Sequence, residues 1–192
     1  MHNKTIIGVD EVGRGCLAGP VFAAAVVLPR EYASQQLFKD SKLLTAKARE
    51  ELATLIIEVA RVGVAFATVK EIFDLNILQA SLLAMKRAVE KIDIKEATVL
   101  VDGKFTIPYL PSQFVQKAVI KGDSKHQEIA AASIVAKVTR DKLLVKMARQ
   151  YPQYFFEKHK GYGTKLHKEA IQKWGPCQEH RSSFKGVKEF LQ

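Results

Sequence analysis

The chain has 192 residues, 47% of them hydrophobic, and a formal net charge of +10. A chain of this length is expected to fold as one domain with a stable core, and its only two cysteines, Cys16 and Cys177, are far apart in sequence, which argues against a disulfide framework. Because no apolar segment has transmembrane length and the N-terminus lacks a signal-peptide pattern, the sequence predicts a cytoplasmic protein.

The excess positive charge lies entirely in the second half of the sequence. Residues 1–103 contain 13 basic and 13 acidic residues, whereas residues 104–192 contain 17 and 7. This distribution indicates either a polyanionic partner such as a nucleic acid or simply a solubilising surface.

Strand and helix patterns alternate along the first half of the chain. Short apolar runs predict strands at residues 5–9, 21–28 and 62–69, and a helix is predicted at residues 46–60. Spacings of three and four then predict one long helix, whose apolar face comprises Leu75, Leu78, Leu82, Met85, Val89 and Ile92.

The second half continues the same alternation and ends in a different kind of segment. Strands are predicted at residues 98–101 and 114–120, and a long helix at 128–149, where several alanines would allow a close approach to a sheet. A further helix is predicted at residues 165–174. The order of elements predicts a single α/β domain over residues 1–192, with a mixed sheet, flanking helices and a small C-terminal helical annex from about residue 152 to 192.

Acidic residues follow three of the predicted strands. Asp10 and Glu11 come directly after the first strand, Asp102 after the fourth, and Asp123 just past the fifth. Carboxyl ends of neighbouring strands with a common direction meet at one crevice, so we expect the four carboxylates to converge there. Each acid alone could instead be an ordinary turn or capping residue. Adjacent acids beside Gly13-Arg14-Gly15 are the hardest to explain in that way.

A cluster of carboxylates has a definite chemical use. The carboxylates repel one another unless a cation lies among them, and Mg²⁺ or Mn²⁺ prefers sites made of oxygen ligands. Two such ions about 4 Å apart can activate a water molecule and stabilise the leaving oxygen of a phosphodiester. The pattern therefore favours metal-dependent phosphodiester hydrolysis, which needs no His, Cys or Ser nucleophile.

Two glycine-rich turns are candidate substrate contacts. Gly13 and Gly15 flank Arg14 and would let the backbone approach a sugar-phosphate closely. Tyr162 lies between two glycines, and Lys158, His159, Lys160, Lys165 and His167 around it are expected to form a phosphate-binding surface. Either segment could equally be a structural turn, with Tyr162 packed in the annex core.

At this point the motifs resemble those of the ribonuclease HII family over nearly the whole chain. The opening motif is GVDEVGRG at residues 8–15 followed by LAGPV at 17–21. Further similar motifs occur in the family's order: DSKL at 40–43, NILQA at 76–80, AMKRA at 84–88, VDG at 101–103, KGDS at 121–124, AASIVAKVTRD at 131–141, GYGT at 161–164, GP at 175–176 and HRSSF at 180–184.

The resemblance implies a ribonuclease H-like fold and a set of roles for these residues. It implies an endonuclease that cuts the RNA strand of RNA/DNA hybrids and cuts 5′ to ribonucleotides embedded in duplex DNA, leaving 3′-hydroxyl and 5′-phosphate ends. Two Mg²⁺ or Mn²⁺ ions would be bound by Asp10, Glu11, Asp102 and Asp123. The substrate-binding residues would be Gly13, Arg14, Gly15, Lys42 and Tyr162, of which the glycines, Arg14 and Tyr162 would recognise the ribose 2′-hydroxyl.

Three positions depart from the family pattern, and two alternatives to the nuclease hypothesis remain. Cys16 replaces the usual Pro, Val12 a common Ala, and Lys104 a frequent Asn. We expect Asp141 to be structural, paired with a neighbouring basic residue.

The alternatives to the nuclease hypothesis are a non-catalytic nucleic-acid-binding module and another metal-dependent phosphoryl enzyme of the same fold, such as a DNA-cutting recombinase or a phosphatase. The default oligomeric state is a monomer, with no membrane partner.

Overall fold

A computed structural model of the chain describes residues 5–35, 38 and 44–191. It confirms the predicted mixed α/β architecture, with five strands in the order β3-β2-β1-β4-β5. The strands are β1 (Ile6–Val12), β2 (Val21–Val27), β3 (Arg61–Ala67), β4 (Ala97–Asp102) and β5 (Phe114–Val119). The α-helices within the described ranges are α1 (Arg30–Ala33), α2 (Ala46–Val59), α3 (Val69–Leu75), α4 (Ile77–Glu90), α5 (Gln127–Gln150), α6 (Phe156–His159) and α7 (Lys165–Trp174).

The register of β1 places two acids side by side. β1 pairs antiparallel with β2 and parallel with β4, and Val9 is the partner of Val101 in the parallel pair. Asp10 and Asp102 are the next residues of these two strands, so they lie at adjacent positions. The predicted end of the first strand at residue 9 is wrong, because β1 continues to Val12 through its pairing with β2. Asp10 and Glu11 therefore belong to the strand instead of following it.

Helices cover both faces of the sheet. On β2, Ala23 and Ala25 belong to the core cluster that contains α4, while Ala24 and Val26 belong to the cluster that contains α2 and α5. This alternation follows from the two-residue period of a strand. The predicted close approach of the alanine-rich helix is confirmed, because Ala130, Ala131 and Ala132 of α5 are buried in that second cluster.

The predicted long helix begins too early, because Leu75 is the last residue of a separate helix, α3, which the sequence did not predict. α3 ends at Leu75, and Asn76 adopts a positive φ of 69°. The Asn76 side chain then accepts hydrogen bonds from the main-chain N–H groups of Leu78 and Gln79, at 3.0 and 3.1 Å, and so caps α4. The predicted third strand is also too long at its end, because Thr68 and Glu71 form a capping box that starts α3 after Ala67.

The C-terminal annex packs against the end of α5. Leu144 and Met147 of α5 share a buried cluster with Tyr154, Phe156 and Ala170 of the annex. The annex also reaches the turn after β1, where the Leu17 N–H donates to the Gly161 carbonyl at 2.8 Å. Among the residues described, none of the helices combines the length and apolar composition that crossing a bilayer requires.

Candidate active site

Three of the four predicted acids line one cleft. Its volume is about 450 Å³, and it opens where the carboxyl ends of β1 and β4 meet α5 and the annex. The lining residues are Asp10, Glu11, Val12, Gly13, Arg14, Arg49, Asp102, Ser133, Ile134, Lys137 and Tyr162. The cleft therefore combines acids with basic side chains and one aromatic ring.

Asp10 is the most deeply placed acid of the cleft. Its side chain is only 6% exposed, and its Oδ1 accepts a hydrogen bond of 2.7 Å from the Glu11 N–H. Burial raises the pKa of Asp10 well above its ordinary value, and the nearby carboxylates of Glu11 and Asp102 raise it further. A hydrogen bond with the Ser133 side chain on α5 partly opposes these effects.

Glu11 is coupled both to the acids and to Arg14. Burial is the main cause that raises the pKa of Glu11, and Asp102 adds to it. The Arg14 guanidinium opposes this rise, because its Nη1 lies 3.3 Å from the Glu11 Oε1. Glu11 thus links the acids to the glycine-rich turn that follows β1.

Asp102 and Asp123 lie next to each other in the fold but differ in their relation to the cleft. The Gly122 N–H donates to the Asp102 Oδ1 at 2.6 Å and ties the turn after β5 to the end of β4. Asp123 lies in the 3-10 helix of this turn, is partly buried and does not line the cleft. The structure thus brings Asp10, Glu11 and Asp102 together and leaves Asp123 beside them.

The donor chemistry of this cluster fits a hard divalent cation. The three converging groups offer only carboxylate oxygens. Burial, and after it the neighbouring carboxylates, raise the pKa values of Asp10 and Glu11, and a bound cation would oppose this rise. Within residues 5–35, 38 and 44–191, no three His, Cys, Asp or Glu side chains are close enough to form a finished metal site.

Both predicted substrate-binding turns reach the cleft. Gly13 and Arg14 line it, whereas Gly15 is exposed and lies outside the lining. Tyr162 is 39% exposed, lines the cleft and forms an isolated β-bridge with Cys16. Lys42 lies outside the described residues.

Sequence reasoning missed three cleft residues, namely Arg49, Ser133 and Lys137. The last two lie one helical turn apart on α5, in the alanine-rich segment that we interpreted only as a packing surface. Lys137 Nζ is 2.8 Å from the Asp141 Oδ1 and 5.3 Å from the centre of the Tyr162 ring. The expected pairing of Asp141 with a basic neighbour is thus observed. The available signal was that Ser133 and Lys137, four residues apart, place polar side chains on one face of the otherwise apolar helix segment.

The predicted basic surface around Tyr162 is partly wrong. Lys158 and Lys165 are exposed, but His159 and His167 are buried at 7% and 0% exposure. The reason is that these histidines stack on each other, with ring centres 4.2 Å apart, and hydrogen-bond to the backbone of the annex. They are core residues and not phosphate contacts.

The three departures from the family pattern have different surroundings. Cys16 is fully buried, its thiol lies 3.8 Å from the Lys160 carbonyl oxygen, and its backbone forms a β-bridge with Tyr162, so this substitution lies directly behind the cleft. Val12 lines the cleft, whereas Lys104 is exposed and does not. Burial raises the pKa of the Cys16 thiol, which keeps it protonated.

Comparisons with known proteins agree with this geometry. The family profile described as Ribonuclease HII matches residues 7–187. The chain is 52% identical to the Ribonuclease HII of Desulfotalea psychrophila, over 100% of this chain and 86% of the relative. The crystal structure of the ribonuclease H2 from Pyrococcus horikoshii OT3 has a TM-score of 0.78 and 26% identity, covering 97% of this chain and 96% of that one. The fold is also similar to that of Bst-RNase HIII in complex with Mn²⁺, with a TM-score of 0.77 and 19% identity over 97% of this chain and 68% of that one.

Proposed function

The chain belongs to the ribonuclease HII family and is a metal-dependent hydrolase with ribonuclease H activity, and we propose that it cuts RNA/DNA hybrids and also cuts 5′ to ribonucleotides embedded in duplex DNA. Membership of an enzyme family rules out the alternative of a non-catalytic binding module. We further propose that it acts as a monomer in the cytoplasm, in DNA replication and repair, and leaves 3′-hydroxyl and 5′-phosphate ends.

The observation that carries this proposal is the convergence of Asp10, Glu11 and Asp102 in one cleft with Tyr162. The acids would hold Mg²⁺ or Mn²⁺, and Asp123, in the turn tied to Asp102, is the proposed fourth ligand. When bound, two such ions supply an activated water and stabilise the leaving oxygen of the phosphodiester. Ser133 of α5 lines the same cleft, and its side chain helps to lower the pKa of Asp10.

Basic residues of the same cleft account for its attraction to a nucleic acid. Arg14, Arg49 and Lys137 all line it, so a phosphodiester entering the cleft meets positive charge beside the acids. Lys42, by the family resemblance, adds a further contact to the substrate. The acids would oppose this binding unless a cation neutralised them, so affinity and metal binding are coupled.

Recognition of the sugar is assigned to the two turns. Only the ribose 2′-hydroxyl separates RNA from DNA at a given position. Gly13, Arg14 and the ring of Tyr162 line the same cleft as the acids, where the sugar next to the cut would rest, and Gly15 follows directly after Arg14. Lys137 supports this ring from the α5 side.

One assay tests the substrate range directly. The purified protein is incubated with labelled duplexes that contain zero, one or several ribonucleotides, with and without Mg²⁺ or Mn²⁺, and the cut positions are mapped. We expect metal-dependent cuts 5′ to ribonucleotides and none in the all-DNA duplex. Cleavage of the all-DNA duplex would instead favour the DNA-cutting alternative on the same fold.

Tyr162 variants test the sugar-recognition step. Tyr162→Ala is expected to lose more activity on a single embedded ribonucleotide than on a continuous hybrid, because a hybrid offers many alternative registers. The lost stacking should correspond to about 1 to 3 kcal/mol. Tyr162→Phe keeps the ring and removes only the hydroxyl, so it is the matched control and should be milder. Wild-type rates of Tyr162→Ala on both substrates would mean that the ring is only packing.

A further inference from the structure

Two arginines beside the proposed sugar-recognition turns are buried and have no acidic partner among the described residues. Arg140 on α5 is 0% exposed and Arg181 in the annex is 1% exposed. The contacts of both guanidinium groups within the described part of the chain are to main-chain carbonyls and to the Phe184 ring, not to carboxylates. Burying a cation in this way is costly, and the carbonyl contacts offset part of that cost; in the described ranges the Arg181 Nη2 has no hydrogen-bond partner.

Arg140 joins the two recognition turns through one guanidinium group. Its Nη1 donates to the carbonyl of Lys160 at 2.7 Å, which lies two residues before Tyr162. Its Nη2 and Nε donate to the carbonyls of Ala18 and Pro20, at 2.9 and 3.1 Å, on the segment that follows the Gly13-Arg14-Gly15 turn. A single rigid group therefore spans from the annex to the segment after β1.

Arg181 holds the same segment from the annex side. Its Nη1 donates to the Arg14 carbonyl and its Nε to the Gly19 carbonyl, both at 2.9 Å. Its main-chain N–H donates to the Leu17 carbonyl at 2.8 Å. These three bonds attach the glycine-rich turn to the annex at points on both sides of Cys16.

Glycines in both turns are packed directly on this arrangement. A Cβ atom at Gly13 would lie 2.3 Å from the Arg140 Nε, and one at Gly161 would lie 2.6 Å from the Ala18 carbonyl oxygen and 3.3 Å from the Arg140 Nη2. Both glycines also have a positive φ, of 95° and 82°. The two turns thus approach each other as closely as the guanidinium of Arg140 permits.

We infer that Arg140 and Arg181 are positioning residues that fix the Gly13-Arg14-Gly15 turn and Tyr162 at the separation needed to read a ribose 2′-hydroxyl. Neither arginine lines the cleft, so both act through the turns and not on the substrate. The inference rests on the proposed function, in which both turns contact the sugar. Selectivity for a ribonucleotide over a deoxyribonucleotide then depends on two buried cations behind the cleft.

The first arm of the test measures the turns themselves, without activity. Arg140→Lys and Arg181→Lys keep the charge but cannot reproduce the planar fork of contacts. Hydrogen exchange of the Leu17 amide, which donates to the Gly161 carbonyl, reports whether the turns stay together. We expect exchange at Leu17 to accelerate at least about tenfold in each variant. The matched control is Arg61→Lys, because Arg61 also donates to a carbonyl, that of Asp93, but lies outside the turns.

The second arm measures selectivity. For each variant, kcat and KM are determined on a duplex with one ribonucleotide and on a continuous hybrid, after thermal unfolding has shown that the variant is folded. We expect kcat/KM on the single ribonucleotide to fall about tenfold more than on the hybrid, because small displacements of the groups that position a substrate lower the rate strongly. In a Tyr162→Ala background, the arginine variants should cause little further change in this ratio.

The two arms separate failure of this inference from failure of the proposed function. Unchanged exchange at Leu17, or equal losses on the two substrates, would overturn the positioning role. Arginine effects that simply add to those of Tyr162→Ala would overturn it as well. If Tyr162→Ala alone leaves the substrate ratio unchanged, the sugar-recognition proposal fails, and the exchange result still decides whether the arginines hold the turns together.

Discussion

Acid should destabilise this protein through two buried histidines of the annex. The His167 Nδ1–H donates to the Tyr162 carbonyl at 2.9 Å, and the Cys177 N–H donates to the His180 Nδ1 at 3.0 Å. These bonds make the His180 Nε2–H the donor to the His167 Nε2, 3.0 Å away. Both rings are therefore neutral in the fold. Burial is the main cause that lowers the pKa of His167 to about 3 and that of His180 to about 4.

The sign and size of the effect follow from linkage. Each folded pKa is below the ordinary value of about 6.5, so the unfolded chain binds protons that the folded chain does not. The stability that the two neutral histidines contribute is fully present above pH 6.5 and is lost as the pH falls toward 4. At pH 5 each histidine costs about 2 kcal/mol, and the hydrogen-bonded pair costs between about 2 and 4 kcal/mol. This is a large part of a typical free energy of unfolding, about 5 to 15 kcal/mol.

The assay is urea unfolding at several pH values in metal-free buffer, comparing wild type with His180→Gln. Titration of Asp10 and Glu11 acts in the opposite direction but cancels in the difference between the two proteins. We expect the slope of the unfolding free energy to be smaller in His180→Gln by about 1 kcal/mol per pH unit between pH 6 and 5. Phe156→Leu, which disturbs the same cluster without a titrating group, should lower stability at every pH and keep the slope. Parallel curves for wild type and His180→Gln would refute the reasoning.

Three further predictions concern the acids, the basic half and a helix cap. Asp10→Asn and Asp102→Asn should each lower turnover by several orders of magnitude under saturating Mg²⁺, while the fold and hybrid binding persist. Single-turnover cleavage measures the first effect and a gel-shift assay measures binding. Near-normal cleavage by either variant would contradict the acid assignment. The affinity for hybrids should fall steeply with salt, because the second half of the sequence carries the whole excess positive charge. Neutralising exposed lysines such as Lys158 or Lys165 should flatten the slope of log K against log salt concentration. A salt-independent affinity would mean that the basic half does not contact the nucleic acid. Asn76→Ala should lower stability by about 0.5 to 2 kcal/mol in urea unfolding without changing the activity per folded molecule, and an unchanged midpoint would show that the cap between α3 and α4 contributes little.

The sequence was sufficient where a single periodicity decides the structure. Alternating or continuous apolar runs located all five strands, and the order of elements predicted the mixed sheet. One error is helix α3, which was not predicted, and others fall at element ends, where Asn76 and Thr68 cap helices through side-chain hydrogen bonds that periodicity does not reveal. The burial of His159 and His167 could not be predicted either, because it depends on their stacking across a turn and not on the polar residues near them in sequence.

The site itself shows the same division between what strand register determines and what long-range side-chain contacts determine. Asp10 and Asp102 are adjacent because Val9 and Val101 pair in neighbouring parallel strands, and the apolar runs that form both strands can be recognised in the sequence. The position of Tyr162 depends on contacts between residues more than a hundred positions apart, such as Arg140 with Ala18 and Leu17 with Gly161. Changes in the annex should therefore impair the distinction between RNA and DNA before they impair hydrolysis, since the acids keep their positions as long as the sheet remains intact.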